Sequence, residues 1–366
     1  MMNWHLLLTG VAIAIAAVFV GFAVITVAAS IRAASADRRR TAARERIRTQ
    51  LFERVSRDEP EWETWVETLS DRERRQLISV VDRYLRTVRG DEREAYLAVA
   101  RALNMGEQAD AALDKSETLP RLKALSRLTL LDYPISERRL LETCLDDPRI
   151  REAAARLLYE RREEFERPRA LGTVLLVWDG REPLSARGVE TLYDLNRANP
   201  VVLLSQGRFS SYRWETPVLV QVCTVLGSCR TPARYERFEW ALWLFDHEDP
   251  TVRAAAIELF EGLGWRSDLR AAIPFRQLVT DEDSRVRRAT YRTLAQWGDQ
   301  HAHHLLEWAV VDEDDPRAQL DAVRALASLD GNPDRDQPGW PNETWAWVRA
   351  ERDIGNPVLE TRGLLA

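Results

Sequence analysis

The small and apolar positions of this chain fall into one arrangement that recurs. From Ile150 they are Ala153, Ala154, Leu157 and Leu158; from Val252 they are Ala255, Ala256, Leu259 and Phe260. From Val286 the same places hold Ala289, Thr290, Thr293 and Leu294. This spacing puts one buried stripe on an α-helix, and its small residues let neighbouring helices approach closely. Each stripe opens on a shared phrase: Asp147-Pro148-Arg149-Ile150-Arg151, Asp249-Pro250-Thr251-Val252-Arg253 and Asp283-Ser284-Arg285-Val286-Arg287. The Asp carboxylate can accept from the unsatisfied amides of a first helical turn, and Pro fits the next position, where no amide hydrogen is needed. A worn copy starts at Asp315-Pro316-Arg317, where Gln319 replaces Arg and Asp321 interrupts the stripe.

The phrases end at 151, 253, 287 and 319, so the gaps are 102, 34 and 32 residues. A period near 34 predicts a stack of helical units. The long gap has room for two further units near 185 and 219. Helix-compatible segments lie at Ser185–Leu192 and Pro217–Val222, without the phrase. Segment 118–131, with Leu119, Leu122, Leu125 and Leu128, reads as the first helix of the first clear unit.

Asp-Pro-x-Val-Arg-x-Ala-Ala followed by two apolar positions resembles the second helix of HEAT repeats. The likeness covers 147–160, 249–262 and 283–297 and fades over 315–329. It implies an all-α chain, an α-solenoid built as a right-handed superhelix of helix pairs, whose work is protein binding rather than catalysis. The repeated Asp147/Arg151, Asp249/Arg253, Asp283/Arg287 and Asp315 positions admit two readings. One is a structural ladder in which each Arg pairs with a carboxylate of its own or the adjacent unit; the other is an anion-binding row.

The N-terminus changes the picture. Leu6 to Ile31 is 26 residues without a charge, long enough as a helix to cross a ~30 Å hydrocarbon core with tilt. A cleaved signal peptide is the alternative, with Ala28-Ala29-Ser30 as its processing site; the missing N-terminal charge and the length of the run argue against it. Residues 1–5 hold no Arg or Lys, whereas 32–57 hold nine Arg. By the positive-inside rule the N-terminus is outside and the solenoid is cytoplasmic, on a single-pass protein of the cell membrane.

The expected organisation is therefore a short extracytoplasmic N-terminus (1–5), a transmembrane helix (6–31), an Arg-rich juxtamembrane helix (32–57), a helical cap (58–116), repeats (117–331) and a C-terminal loop and helix (332–366). Ile47, Leu51 and Val55 share one helical face, free to form a coiled coil or to pack on the helices that follow. Trp62, Trp65, Val66 and Leu69 form a stripe of the cap.

Charge narrows the partner. The chain carries −6 overall and +6 over 1–57, leaving −12 for 58–366. A general nucleic-acid binder needs a basic surface, so nucleic acid is not expected. Three Cys (144, 223, 229) show no metal or disulfide spacing, and Cys144 sits at an apolar position.

No phosphate loop, nucleophile elbow or zinc-protease motif occurs. His301, His303 and His304 lie near Asp312–Asp315, but on a helix start these rings spread around the axis. No catalytic residue, cofactor, metal or small-molecule substrate is expected. Segment 196–216 breaks the helical pattern with Gly and Ser and interleaves Arg208 and Arg213 with Phe209, Tyr212 and Trp214, so it reads as a binding loop or as a long turn. Trp340, Trp345 and Trp347 mark a terminal helix that either caps the stack or docks a partner. The leading expectation is a membrane-anchored scaffold or adaptor that binds a protein, an accessory subunit of a membrane enzyme or transport complex being its narrower form. The alternative is a HEAT-like enzyme of glycosylase or lyase type.

Overall fold

The computed structural model describes residues 22, 26, 30, 45–57, 59–229, 237–330 and 341–355. They are helical or irregular, with no strand among them. No helix among the described residues is long and apolar enough to cross a membrane. The span expected over 6–31 lies outside them apart from Phe22, Thr26 and Ser30, as do 35–44 and Trp340.

The chain divides into two compact units, Met1–Ala112 with Arg127–Tyr133, and Leu113–Ser126 with Pro134–Ala366. In the first, residues 45–55 are helical and are followed by α1 (Trp62–Thr68), α2 (Asp71–Thr87), α3 (Asp91–Ala102) and α4 (Met105–Ala112). Ile47 and Leu51 are buried with Trp65, Val66, Leu77 and Leu97, so their face packs into this core. Ser70 and Glu73 form a reciprocal capping box that starts α2. The residues of α5 (Thr118–Leu130) are shared between the two units, and within the first Arg127 pairs with Asp82 at 2.6 Å.

The second unit is a series of helix pairs. Their first members are α6 (Glu137–Cys144), α8 (Pro168–Leu176), α10 (Val201–Ser210), α12 (Glu239–Leu242), the short α14 (Ser267–Ala272) with α15 (Phe275–Leu278), and α17 (Gln300–Asp312). Their second members are α7 (Pro148–Glu160), α9 (Ala186–Asn196), α11 (Thr216–Ser228), α13 (Pro250–Leu263), α16 (Ser284–Trp297) and α18 (Pro316–Asp330). α19 (Asn342–Gly355) packs on α18. Each second helix packs on the next, α7 to α9 to α11 to α13 to α16 to α18. Helices thus occupy both places where the phrase is lost. The first pair is α6 with α7 rather than 118–131 with α7, because the short α6 stands between them.

The phrase acts as its chemistry requires. The Asp147, Asp249 and Asp283 carboxylates accept from the amides of Arg149, Thr251 and Arg285 at 2.8, 2.8 and 2.9 Å. Asp315 accepts from Arg317 and Ala318 at 3.0 and 2.9 Å. In the unit without the phrase, Ser185 caps α9 by accepting from Gly188 at 3.1 Å. Asp321, which interrupts the α18 stripe, is half-buried and accepts from Arg288 of α16 at 2.7 Å. The interruption is a tie between adjacent second helices.

Segment 196–216 is not an irregular loop. It holds the end of α9, all of α10 and a 3-10 turn over Ser211–Arg213. Gly207 sits within α10 because a Cβ there would stand 2.4 Å from the Trp240 ring. Packing thus overrides the weak helix propensity of Gly and Ser.

All three cysteines are buried. Burial pushes the Cys223 thiol up to about 12, Cys229 up to about 11, and Cys144 upward as well. Since the thiolate is the reactive form, the native chain is expected to leave all three unreactive towards an aromatic disulfide reagent at mildly alkaline pH. Unfolding in guanidinium should release them together. A stoichiometric reaction before unfolding would show that these cores open.

Candidate functional site

Two constellations in the second unit are built from the repeat. The first is a ladder of guanidinium groups. Arg151 donates to the carbonyl of Leu145 at 2.8 Å and to Asp179 at 2.9 Å. Arg253 donates to the carbonyl of His247 at 2.8 Å and clasps Asp281 at 2.8 and 2.7 Å. Arg287 donates to the carbonyl of Asp281 at 2.8 Å and clasps Glu313 at 2.8 and 2.6 Å. Each Arg therefore satisfies a carbonyl of the turn before its own helix and a carboxylate of the following unit.

The capping Asp residues are not the ladder's anions. At the last two rungs the anion stands two places earlier: Asp281 accepts from the Asp283 amide at 2.9 Å, and Glu313 from the Asp315 amide at 2.9 Å. Tyr291 donates to Glu313 at 2.7 Å. Burial pushes the Glu313 carboxyl up, but hydrogen bonds from Arg287, Tyr291 and the Asp315 amide outweigh it and hold the group below the ordinary range. Gln319, in the Arg place of the worn copy, still donates to the carbonyl of Glu313, at 3.2 Å. The ladder also has an earlier rung: buried Arg121 of α5 donates to Asp146 at 2.8 and 2.6 Å.

The ladder is interrupted in the two units where the phrase is lost, with Val189 in the Arg place of α9, and at the second of them both sides of the missing rung change together. Leu219 stands in the Arg place of α11, and His247 stands where the next unit would carry its carboxylate. The His247 ring nitrogen accepts from the Asp249 amide at 3.0 Å, doing the local work of Asp281 without a carboxylate. Gln221 spans the neighbouring joint instead, accepting from the Leu184 amide at 2.9 Å and donating to its carbonyl at 2.8 Å. The anions of the intact rungs are thus occupied by protein. A cleft of about 210 Å³ beside the last rung is lined by Arg287, Tyr291, Trp308, Asp312, Glu313 and Asp314.

The second constellation joins the units containing α8, α10 and α12. Gly180 has φ +62°, and a Cβ there would stand 1.9 Å from the Trp214 ring. The Gly180 carbonyl accepts from the Glu215 amide at 2.8 Å. Trp214 meets Trp240 edge-on at 6.3 Å, and Trp240 packs on Gly207. Trp214 and Trp240 are buried, so Trp214 is core rather than a docking residue. Four large side chains of these units are exposed: Trp178 (49%), Phe209 (68%), Tyr212 (80%) and Trp243 (77%). Arg208 and Arg213 are exposed as well. The Arg208 guanidinium is 5.9 Å from the Phe209 ring centre, and that of Arg213 is 5.4 Å from Tyr212.

Trp345 of α19 is buried, whereas Trp347 of the same helix is exposed, its indole donating to Glu351 at 2.8 Å. Sequence reasoning singled out Arg208, Phe209, Tyr212 and Arg213 but not Trp178 and Trp243. These two lie seven and six residues before the capping positions Ser185 and Asp249, a register that becomes visible only when α9 is admitted as a repeat. On α17, His303, His304 and Glu307 each place one potential metal-ligating atom within 4.8 Å of the others, in an arrangement that His–Glu pairing at 3.5 Å also accounts for.

Comparison with known proteins agrees with the geometry of the repeat. The profile of the family described as HEAT repeats matches residues 238–327, which run from α12 into α18. The chain has a HEAT-like repeat fold there. No curated protein matches the chain. Among solved structures, the crystal structure of an engineered protein from a structural-genomics consortium is similar at 16% identity and a TM-score of 0.32, over 79% of this chain and 84% of that one.

Proposed function

We propose that this chain is a membrane-tethered scaffold. Residues 6–31 anchor it, the repeats face the cytoplasm, and the aromatic–arginine surface around Phe209, Tyr212 and Trp243 docks a protein. The observation that carries this reading is the exposure of Phe209, Tyr212 and Trp243, with Arg208 and Arg213 beside the first two rings. Aromatic residues with Arg dominate interface energetics. HEAT repeats mediate protein–protein contact in general, and the ladder's Arg groups are engaged by the chain's own carboxylates, which leaves the aromatic surface as the free feature. The 26-residue apolar run and the nine Arg that follow it support the tether and its orientation.

The test is co-purification of the full chain from its native membrane in mild detergent, beside a Phe209→Ser/Tyr212→Ser/Trp243→Ser variant. All three side chains are exposed, so the variant should keep its circular dichroism and melting profile. The expected result is a stoichiometric protein partner that falls by about tenfold or more in the variant, as loss of hot-spot anchors implies. Undiminished recovery with the variant would remove this surface from the function.

A further inference from the structure

We infer that one face of α17 is a binding site for a divalent transition metal of the zinc class, formed by His303, His304 and Glu307. The site is independent of the docking face. Its carrying observation is that two imidazoles approach one carboxylate. The Nδ1 of His303 is 3.5 Å from Oε1 of Glu307, and the Nδ1 of His304 is 3.5 Å from Oε2. One ligating atom of each residue lies within 4.8 Å of the other two. The helix explains the convergence. Glu307 follows His303 by four residues and His304 by three, the two separations that bring side chains to one face. A long helical side chain also leans back over the preceding turn, which carries the carboxylate towards both rings. The three imidazoles 301, 303 and 304 do not make this site by themselves, and the acidic run 312–315 is not part of it. Glu307, one turn on, gathers two of the rings.

The spacing suits a shared ion better than a pair of hydrogen bonds. An N–H···O bond runs about 2.7–3.2 Å, shorter than either contact. Two ligands held at about 2.0–2.2 Å from a tetrahedral zinc stand about 3.3–3.5 Å from each other, which is the spacing found. Charge attraction to the carboxylate needs protonated rings, whereas a neutral imidazole offers its lone pair to a metal. The donor set also selects the ion. Two imidazoles and a carboxylate suit zinc, nickel or copper, while magnesium and calcium take oxygen ligands. The carboxylate offsets part of the dication's charge. His304 is exposed and His303 and Glu307 are half-buried, so an ion can enter from solvent and keep coordination positions for water or a further ligand. All three side chains come from the first two turns of α17, so a bound ion would pin those turns to each other.

The experiment titrates Zn²⁺ by isothermal calorimetry into the full, untagged chain in detergent micelles, after chelation and dialysis. One site is expected, with a dissociation constant on the order of 10 µM or below. Glu307→Gln and His304→Ala are each expected to weaken it by about tenfold or more, since even a change in the outer shell of a metal site costs about 10–100-fold. Both positions reach solvent, so the circular dichroism of the variants should match that of the native chain. His301→Ala removes an exposed ring outside the set and should leave the affinity unchanged, as should about 1 mM Mg²⁺. No saturable uptake below about 100 µM Zn²⁺ overturns the inference. Displacement by Mg²⁺, or equal losses in His301→Ala and His304→Ala, does the same. An affinity that survives both Glu307→Gln and His304→Ala places the ion elsewhere on the chain and overturns it too.

Discussion

Arg287→Ala is expected to lower the stability of the last repeats by about 3–5 kcal/mol, the range for removing one partner of a buried ion pair. The Glu313 side chain is 1% exposed, and Arg287 supplies two of its hydrogen bonds, at 2.8 and 2.6 Å. The variant keeps only the Tyr291 hydroxyl and the Asp315 amide on that carboxylate. It also strips the bond to the Asp281 carbonyl. The pH dependence separates this cause from a packing defect. In the native chain the Glu313 carboxyl sits below its ordinary range. A lowered folded value gives stability that is present above the ordinary carboxylate range and lost as pH falls through the folded value. Without Arg287 the balance turns to burial, the folded carboxyl rises, and neutral pH becomes the condition that most disfavours the variant. The gap between native chain and variant should therefore narrow as pH is lowered from neutral towards the carboxylate range. Repeats can open locally, so hydrogen exchange at the amides of α16 and α18 is the suitable measurement. A gap below about 1 kcal/mol, or one that widens in acid, would refute the buried-pair account. A simultaneous apolar replacement of Arg287, Tyr291 and Glu313 should recover much of the loss.

That pair also shows where the sequence was legible. The Arg of each phrase was visible because a fixed phrase and a helix period mark it. Its partner was not, because pairing in a stack crosses to the following unit at a separation set by loop length. Asp281 and Glu313 lie 28 and 26 residues beyond their Arg, and Asp179 lies 28 beyond Arg151 despite a longer turn before α9. The readable signal is an acidic residue two places before the capping Asp. It is present in the units that follow an Arg phrase with a short turn, and His247 replaces it where Leu219 has displaced the Arg. Composition misled only where packing decides. Gly207 and the Ser residues of 196–216 suggested a loop, but Trp240 needs the space that Gly207 leaves. Trp214 resembled an interface residue by type, while its neighbour Tyr212 is the exposed one. A Trp of a repeat is a core group or a docking group according to which face of the turn it occupies, and a single copy of a worn repeat does not fix that register.

The second large effect is expected at Gly262, within α13. Helix propensity alone would favour Gly262→Ala by about 1 kcal/mol. The structure reverses that sign. A Cβ at Gly262 would stand 1.9 Å from the carbonyl oxygen of Gly227 in α11, and 2.8 Å from its Cα. The obstacle is backbone, which cannot swing aside as a side-chain end can, so α11 and α13 must move apart. Overpacking costs typically about 1–3 kcal/mol, and a backbone obstacle belongs at the upper end of that range. The net expectation is a loss of about 2 kcal/mol for Gly262→Ala and more for Gly262→Val. Gly227→Ala meets Glu258 and Leu259 of α13 at 3.1 Å and should cost less. Gly264→Ala, with φ +77°, ψ 176° and nothing within 4 Å, isolates the cost of a backbone conformation open essentially to Gly alone, about 1–3 kcal/mol. The order Gly262, then Gly227, in denaturant midpoints or in exchange of the α11 and α13 amides, tests close backbone approach as the contact that joins these two units. If Gly262→Ala is as stable as the native chain, the helices are not in backbone contact there, and the joint between the third and fourth pairs must depend on the side chains around Leu226 and Leu259.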